Sequence, residues 1–286
     1  MKRFISLIVM TCTVLWALPA QEKPASDTLT ADTLQQRYVD FPPHRKVVVY
    51  LNRHDGIGYG LFRDQGTSPL VYSGLQAHLG ADIDIHFPKF RVSLSSALNG
   101  GLFNFDSDDD SGAKSLFLES SASALFRVWH HRQWQLWAGA SLDDYFGIKY
   151  NENLENSSIG FTGLIGLGLR GRIEYRTPAR PRGHHWIFHG ELALMPVAAV
   201  QRPGYAYVDN HTAGEGDILF SFLSSYEVSA VSFPMAKTDF GASFVFPSGN
   251  QVGAAYRWSF FSTGSAGASR FDEASHQLTI NIKVIF

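Results

Sequence analysis

Residues 75–87 alternate without a break: Leu75, Ala77, Leu79, Ala81, Ile83, Ile85 and Phe87 interleave with Gln76, His78, Gly80, Asp82, Asp84 and His86. A period of two sends the first set to one face of a β-strand and the second to the other. The pattern recurs at 90–98, 116–128, 134–142, 161–175, 186–194, 218–230, 240–246, 252–261 and 278–286. Within 116–128, Leu116, Leu118, Ala122, Ala124, Phe126 and Val128 oppose Glu119, Ser121, Ser123 and Arg127, with Phe117 and Leu125 as exceptions.

Several of these runs reach ten residues or more, whereas strands of soluble sandwiches usually hold about five or six. A tilted strand needs about 9–11 residues to cross a hydrocarbon layer. Only a closed sheet lets such strands meet lipid with every backbone group paired. The pattern therefore predicts an all-β fold, a transmembrane antiparallel up-and-down β-barrel. Its outward set is almost free of charge. Arg91, Glu119, Arg127, Arg170, Arg172, Glu174, Glu191 and Glu227 fall on the opposite face and are read as lumen-lining. A wet or cross-paired lumen can hold them, where a dry core would penalise each unpaired charge heavily.

Hydropathy excludes helical spans. The mean hydropathy is −0.07, and past residue 20 no apolar run approaches the length of about eighteen that a spanning helix requires.

The final run, Gln277-Leu278-Thr279-Ile280-Asn281-Ile282-Lys283-Val284-Ile285-Phe286, resembles the closing strand of bacterial outer-membrane β-barrel proteins. That resemblance implies an outer-membrane location and an assembly signal ending at Phe286, read by the barrel assembly machinery. It points to no subfamily.

Turns at 88–89 and 130–133 are tight, whereas 104–113 and 143–158 read as long polar connections. In such barrels short turns face the periplasm and long loops the exterior. Trp129, Trp134 and Trp186 lie beside turns, where an interfacial aromatic girdle would put them; Trp137 reads as lumen filling. Counting strands from the ten clear runs leaves the last one pointing outward, so 46–62 is added as a first strand and a further one is placed within 199–216. The expectation is about twelve strands, with ten as the alternative.

The start of the chain sets the compartment. Lys2 and Arg3 precede an apolar run at 4–18 and the small-residue exit Ala17-Leu18-Pro19-Ala20, the order of a secretory signal peptide. The expected organisation is a signal peptide at 1–20, a flexible periplasmic leader at 21–45 rich in Asp, Thr, Gln and Pro, and a barrel at 46–286. The single cysteine, Cys12, lies in the first segment, so the exported chain depends on burial, pairing or a membrane for stability. Removing Lys2 and Arg3 from the 24 basic residues leaves 22 against 26 acidic, a net charge of about −4. That balance provides no basic surface for nucleic acid.

Candidate chemistry is sparse. The acidic stretch at 106–112 has oxygen ligands suited to a hard cation but lacks a downstream bidentate Glu, and such a stretch is more often a solvated acidic loop. The row His78, Asp82, Asp84 and His86 has ligand types, yet a polar lumen wall accounts for it without a metal. Lipid hydrolases and proteases also use barrels, and His189 with Glu191, or Asp143-Asp144 with His211, are the residues that such chemistry would need. No Gly-flanked nucleophile accompanies them. No cofactor is implied. The leading expectation is a small channel for polar solutes, and the alternative is a plugged barrel, with Arg91, Arg127, Arg170 and Arg172 paired to Glu119, Glu174 and Glu191, acting as a scaffold. The expected partners are outer-membrane lipid, the barrel assembly machinery and small polar solutes.

Overall fold

The computed structural model describes residues 47–65, 68–104, 112–151, 159–180, 183–203, 226–263 and 270–286. They form ten strands: β1 (Val48–Asp64), β2 (Ser68–His86), β3 (Phe90–Asn104), β4 (Ala113–His131), β5 (Trp134–Asn151), β6 (Ile159–Arg176), β7 (His185–Pro203), β8 (Tyr226–Val245), β9 (Gln251–Ser262) and β10 (Phe271–Ile285). Each strand pairs antiparallel with its neighbours in sequence, and β1 pairs with β10, which closes the barrel. Closure leaves no open edge. The signal-peptide and leader segments lie outside the described residues.

Among the described residues the count is therefore ten, the alternative, rather than twelve. The overcount has a local cause. Runs 218–230 and 240–246 belong in part to one strand, β8, whose pattern is interrupted where Phe233 takes a φ of 51° and the register against β7 shifts between Met195 and Val197. The weakly patterned stretch near residue 50 is a full strand, β1. With ten strands, Val48 and Phe286 stand at the same end as the tight turns, and the Phe286 amide donates to the Val49 carbonyl across 3.0 Å.

Strands also run further than the alternation shows. The segment read as a long loop from 143 onward is strand up to Asn151, so Asp143 is inside the barrel and buried, while Asp144 points outward. Outward residues are apolar over most of the surface, as with Leu75, Leu167, Leu278 and Ile280. The outward face nonetheless carries more charge than expected: Arg53 and Asp55 on β1, besides Asp144.

The protein's core is its lumen. Phe62, Tyr72, Phe103, Phe117, Tyr145, Leu164, Met195, Val200, Met235, Phe261 and Phe271 pack together there, most of them toward the strand ends remote from Phe286, with Met195 and Met235 at mid-strand. Phe117, an exception to the alternation rule, is one of these inward side chains.

Candidate functional site

Inward residues from every strand meet in the lumen, and they fill it in tiers. At the end that carries Phe286, Arg91 on β3 donates two parallel bonds to Glu174 on β6, at 2.6 and 2.8 Å. A bidentate guanidinium–carboxylate pair of this kind fixes geometry as well as charge. Arg172 Nε adds a bond to Glu174 Oε1 at 2.9 Å, and Arg176 reaches Glu174 Oε2 at 3.4 Å. The Arg91 guanidinium lies 3.8 Å from the centre of the Trp137 ring, with Arg127 on the same ring at 5.9 Å. Trp137 is 1% exposed. Close by, Lys283 on β10 and Ser93 on β3 both donate to Asp84.

The middle tier holds two hydrogen-bonded groups. Arg170 bonds to Asp143 at 2.6 Å, Ser121 at 2.7 Å and Glu191 at 3.3 Å, and Arg172 shares Glu191 at 3.1 Å. Across the lumen, His54 Nε2 lies 3.0 Å from Asp82 and His78 Nδ1 lies 2.7 Å from Asn99 Oδ1. Arg257 Nη1 sits 2.9 Å from His54 Nδ1 and 3.1 Å from His78 Nε2. His54 Nδ1 and His78 Nε2 also lie 2.8 Å from each other. The tautomer in which each imidazole donates to its oxygen partner and accepts from Arg257 therefore leaves that ring–ring contact without a proton, and a hydrogen bond there requires one ring to carry a proton on the facing nitrogen. Asn99 then donates to Glu119 at 3.0 Å, Lys237 also donates to Glu119, and Asp239 accepts from Arg257 Nε while facing His189 Nε2, both at 2.7 Å.

Glycines make room for these rings. An added Cβ at Gly80 would stand 2.0 Å from the His54 ring, and one at Gly241 2.5 Å from the His189 ring.

The outer tier is aromatic with buried ionic pins. Tyr145 Oη donates to Glu273 at 2.6 Å, Lys149 lies 3.2 Å from Asp64 and 3.0 Å from the centre of the Phe271 ring, and Arg202 joins Asp64 to Thr162.

The residues read as lumen-lining distribute as follows. Arg91, Glu119, Arg127, Arg170, Arg172, Glu174 and Glu191 lie on inward register positions, and Glu119 pairs with Lys237 rather than with an arginine. Glu227 is opposite Arg202 in the β7–β8 register, and its side chain lies outside the described residues. The sequence reading did not single out Asp64, Arg202, Asp239, Arg257 and Lys283, and it named Asp84 only within the His78–His86 row and Asp143 only as an enzyme-type candidate. Their inward parity was the available signal, hidden where strands continue past the clean alternation.

The enzyme-type groupings come apart. Glu191 is held by two arginines and His189 faces Asp239. Asp143 and Asp144 occupy opposite faces of β5, so they cannot act on one substrate atom. The metal-type row is likewise divided: Asp82 faces His54 and Asn52, Asp84 faces Lys283, and His78 faces Asn99. His211 and residues 105–111 lie outside the described residues.

No protein-family model and no curated protein sequence matches the chain. Among solved structures, the outer membrane protease OmpT from Escherichia coli is similar with a TM-score of 0.49 and 8% identity, over 87% of this chain and 99% of that one. The transport unit of the autotransporter AIDA-I from Escherichia coli gives 0.48 and 11%, over 88% and 94%. The outer membrane protein OprG from Pseudomonas aeruginosa gives 0.31 and 12%, over 84% and 97%. At this level no activity transfers from these proteins, and the barrel stands on the chain's own strand register.

Proposed function

We propose that the chain is exported, loses its first twenty residues, and spans the outer membrane as a plugged barrel that serves as a scaffold rather than as an open channel. The observation that carries this reading is the stacking of Trp137, Arg91 and Glu174 across one end of the lumen, beneath the aromatic tier at the other. A ten-stranded barrel is only modestly wider than the eight-stranded kind that side chains fill, and here side chains from all round the wall reach one another. Ionic partners within direct hydrogen-bond distance span the lumen, and a hydrated solute would have to break them to pass.

The plug also supplies a reason for its own composition. A wide water-filled pore needs no partner for each lumen charge, whereas a filled one must pair nearly all of them. Lipid would contact the apolar outward face, and the barrel assembly machinery would read the strand that ends at Phe286. With the lumen closed, the parts left to meet other molecules are the outer face and the connections remote from Phe286.

The test is fractionation with heat-shift gel migration, followed by planar bilayer recording. A heat-shifted outer-membrane band with no conductance steps supports the plugged scaffold. Steady conductance to small polar solutes would return the channel to first place, and a soluble protein without a heat shift would remove the membrane reading altogether.

A further inference from the structure

Arg53 and Asp55 stand on the outward face of β1, where Arg53 Nε donates to Asp55 Oδ2 across 2.7 Å with side chains 57% and 42% exposed. Their cross-strand neighbours are apolar: Ile282 and Ala81 beside Arg53, Ile280 and Leu79 beside Asp55. Both residues lie further along β1 than Val49, which receives the Phe286 amide at the barrel's end. On a strand tilted by about 40°, four to six residues at about 3.4 Å each put the pair roughly 10–16 Å into an apolar band about 25 Å tall. That is mid-membrane depth.

Ionised groups at that depth are costly when they face lipid, and in membranes they turn toward protein or water. The bond to Asp55 uses one of the five donors that a guanidinium carries. Acyl chains offer acceptors for none of the rest. The register continues from Arg53 through Ala81 on β2, Ser96 on β3 and Ser120 on β4, a row of small outward residues. Bulkier residues border it on β2 and β3, Ile83 and Leu94 on one side and Leu79, Leu98 and Leu118 on the other, while Ala122 extends the small row on β4.

We propose that this face docks a second copy of the chain, with a twofold axis along the membrane normal. The inference rests on the membrane-spanning reading above. Such an axis holds each residue at one depth in both copies, so the Arg53 of each lies near the Asp55 of the other, separated in height by two residues. A guanidinium stem spans that offset. The four groups then close a ring of alternating charge in which each carboxylate lies between two guanidiniums. A twofold contact must be self-complementary, and an adjacent pair of opposite charges is. The small row lets the two sheets approach closely, as small residues do between membrane segments.

Disulfide trapping in native membranes tests this. In a Cys12→Ala background, Ala81→Cys and Ile57→Cys report on the proposed face and Leu167→Cys on the far side of the barrel. Oxidation is expected to yield a dimer band from Ala81→Cys or Ile57→Cys and none from Leu167→Cys. Adding Arg53→Leu with Asp55→Leu is expected to reduce that band at least tenfold while the heat shift persists. Equal trapping on both sides, no trapping on the β1–β2 face, or a dimer indifferent to the double substitution would each overturn the proposal. Loss of the heat shift in the parent chain marks failure of the membrane reading instead.

Discussion

Glu174→Gln keeps the shape of a buried side chain and removes its charge. Glu174 accepts from Arg91, Arg172 and Arg176, with its side chain 3% exposed and that of Arg91 9%. Arg172 retains Glu191, and Arg176 is 28% exposed, so water offsets part of its loss. Arg91 keeps the Trp137 ring but loses its bidentate carboxylate. Deleting one member of a buried pair costs about 3–5 kcal/mol, and because the cost concentrates on one of three arginines, about 3 kcal/mol is expected. That is roughly a hundredfold in the folding constant. Urea titration of the barrel in lipid vesicles, followed by tryptophan fluorescence, measures it. Replacing Arg91 and Glu174 together with methionine is expected to cost less than Glu174→Gln, since no charge is stranded between them. A loss below about 1 kcal/mol for Glu174→Gln would refute the reasoning: water would then be screening that tier, and the lumen would not be plugged there.

Three further outcomes are expected. Because the tiers block the lumen in series, Trp137→Ala and Phe271→Ala should each remain silent in planar bilayers; conductance from either alone would mean that its tier is the sole barrier. Gly80→Ala should cost about 1–3 kcal/mol by overpacking the His54 ring, and the penalty should shrink in a chain that also carries His54→Ala, as vesicle urea titrations of the two single variants and the double will show. Deleting Phe286 should lower the yield of heat-shifted protein in the outer membrane, and an unchanged yield would remove it as an assembly signal.

The alternation made the strand faces legible because lipid imposes a simple rule on one of them. Leu278, Ile280 and Ile282 can vary in shape but not in polarity, so a period of two survives there. The lumen obeys a different rule, namely that each group must suit what crosses from another strand. Glu119 pairs with Lys237 from β8, and nothing local to β4 says so. Phe117 broke the expected pattern for the same reason: it faces inward, yet the lumen at its depth is filled by rings. β1 was faint because Gly56, Gly58 and Gly60 occupy its inward positions and Arg53 and Asp55 interrupt its outward ones. The bulge at Phe233 made β8 look like separate strands.

The last strand brings more than closure of the hydrogen-bond circuit. β10 supplies Lys283 to Asp84, Gln277 to Asn99 and Glu273 to Tyr145, partners that wait on β2, β3 and β5. Until β10 arrives, those groups have incomplete partners, and a slip of one residue would turn Lys283, Gln277 and Glu273 toward lipid. A slip of two keeps the faces but separates all three contacts. Joining the ends and proofreading the register are thus a single event, in which the lumen charges act as a lock that only the correctly seated strand can turn.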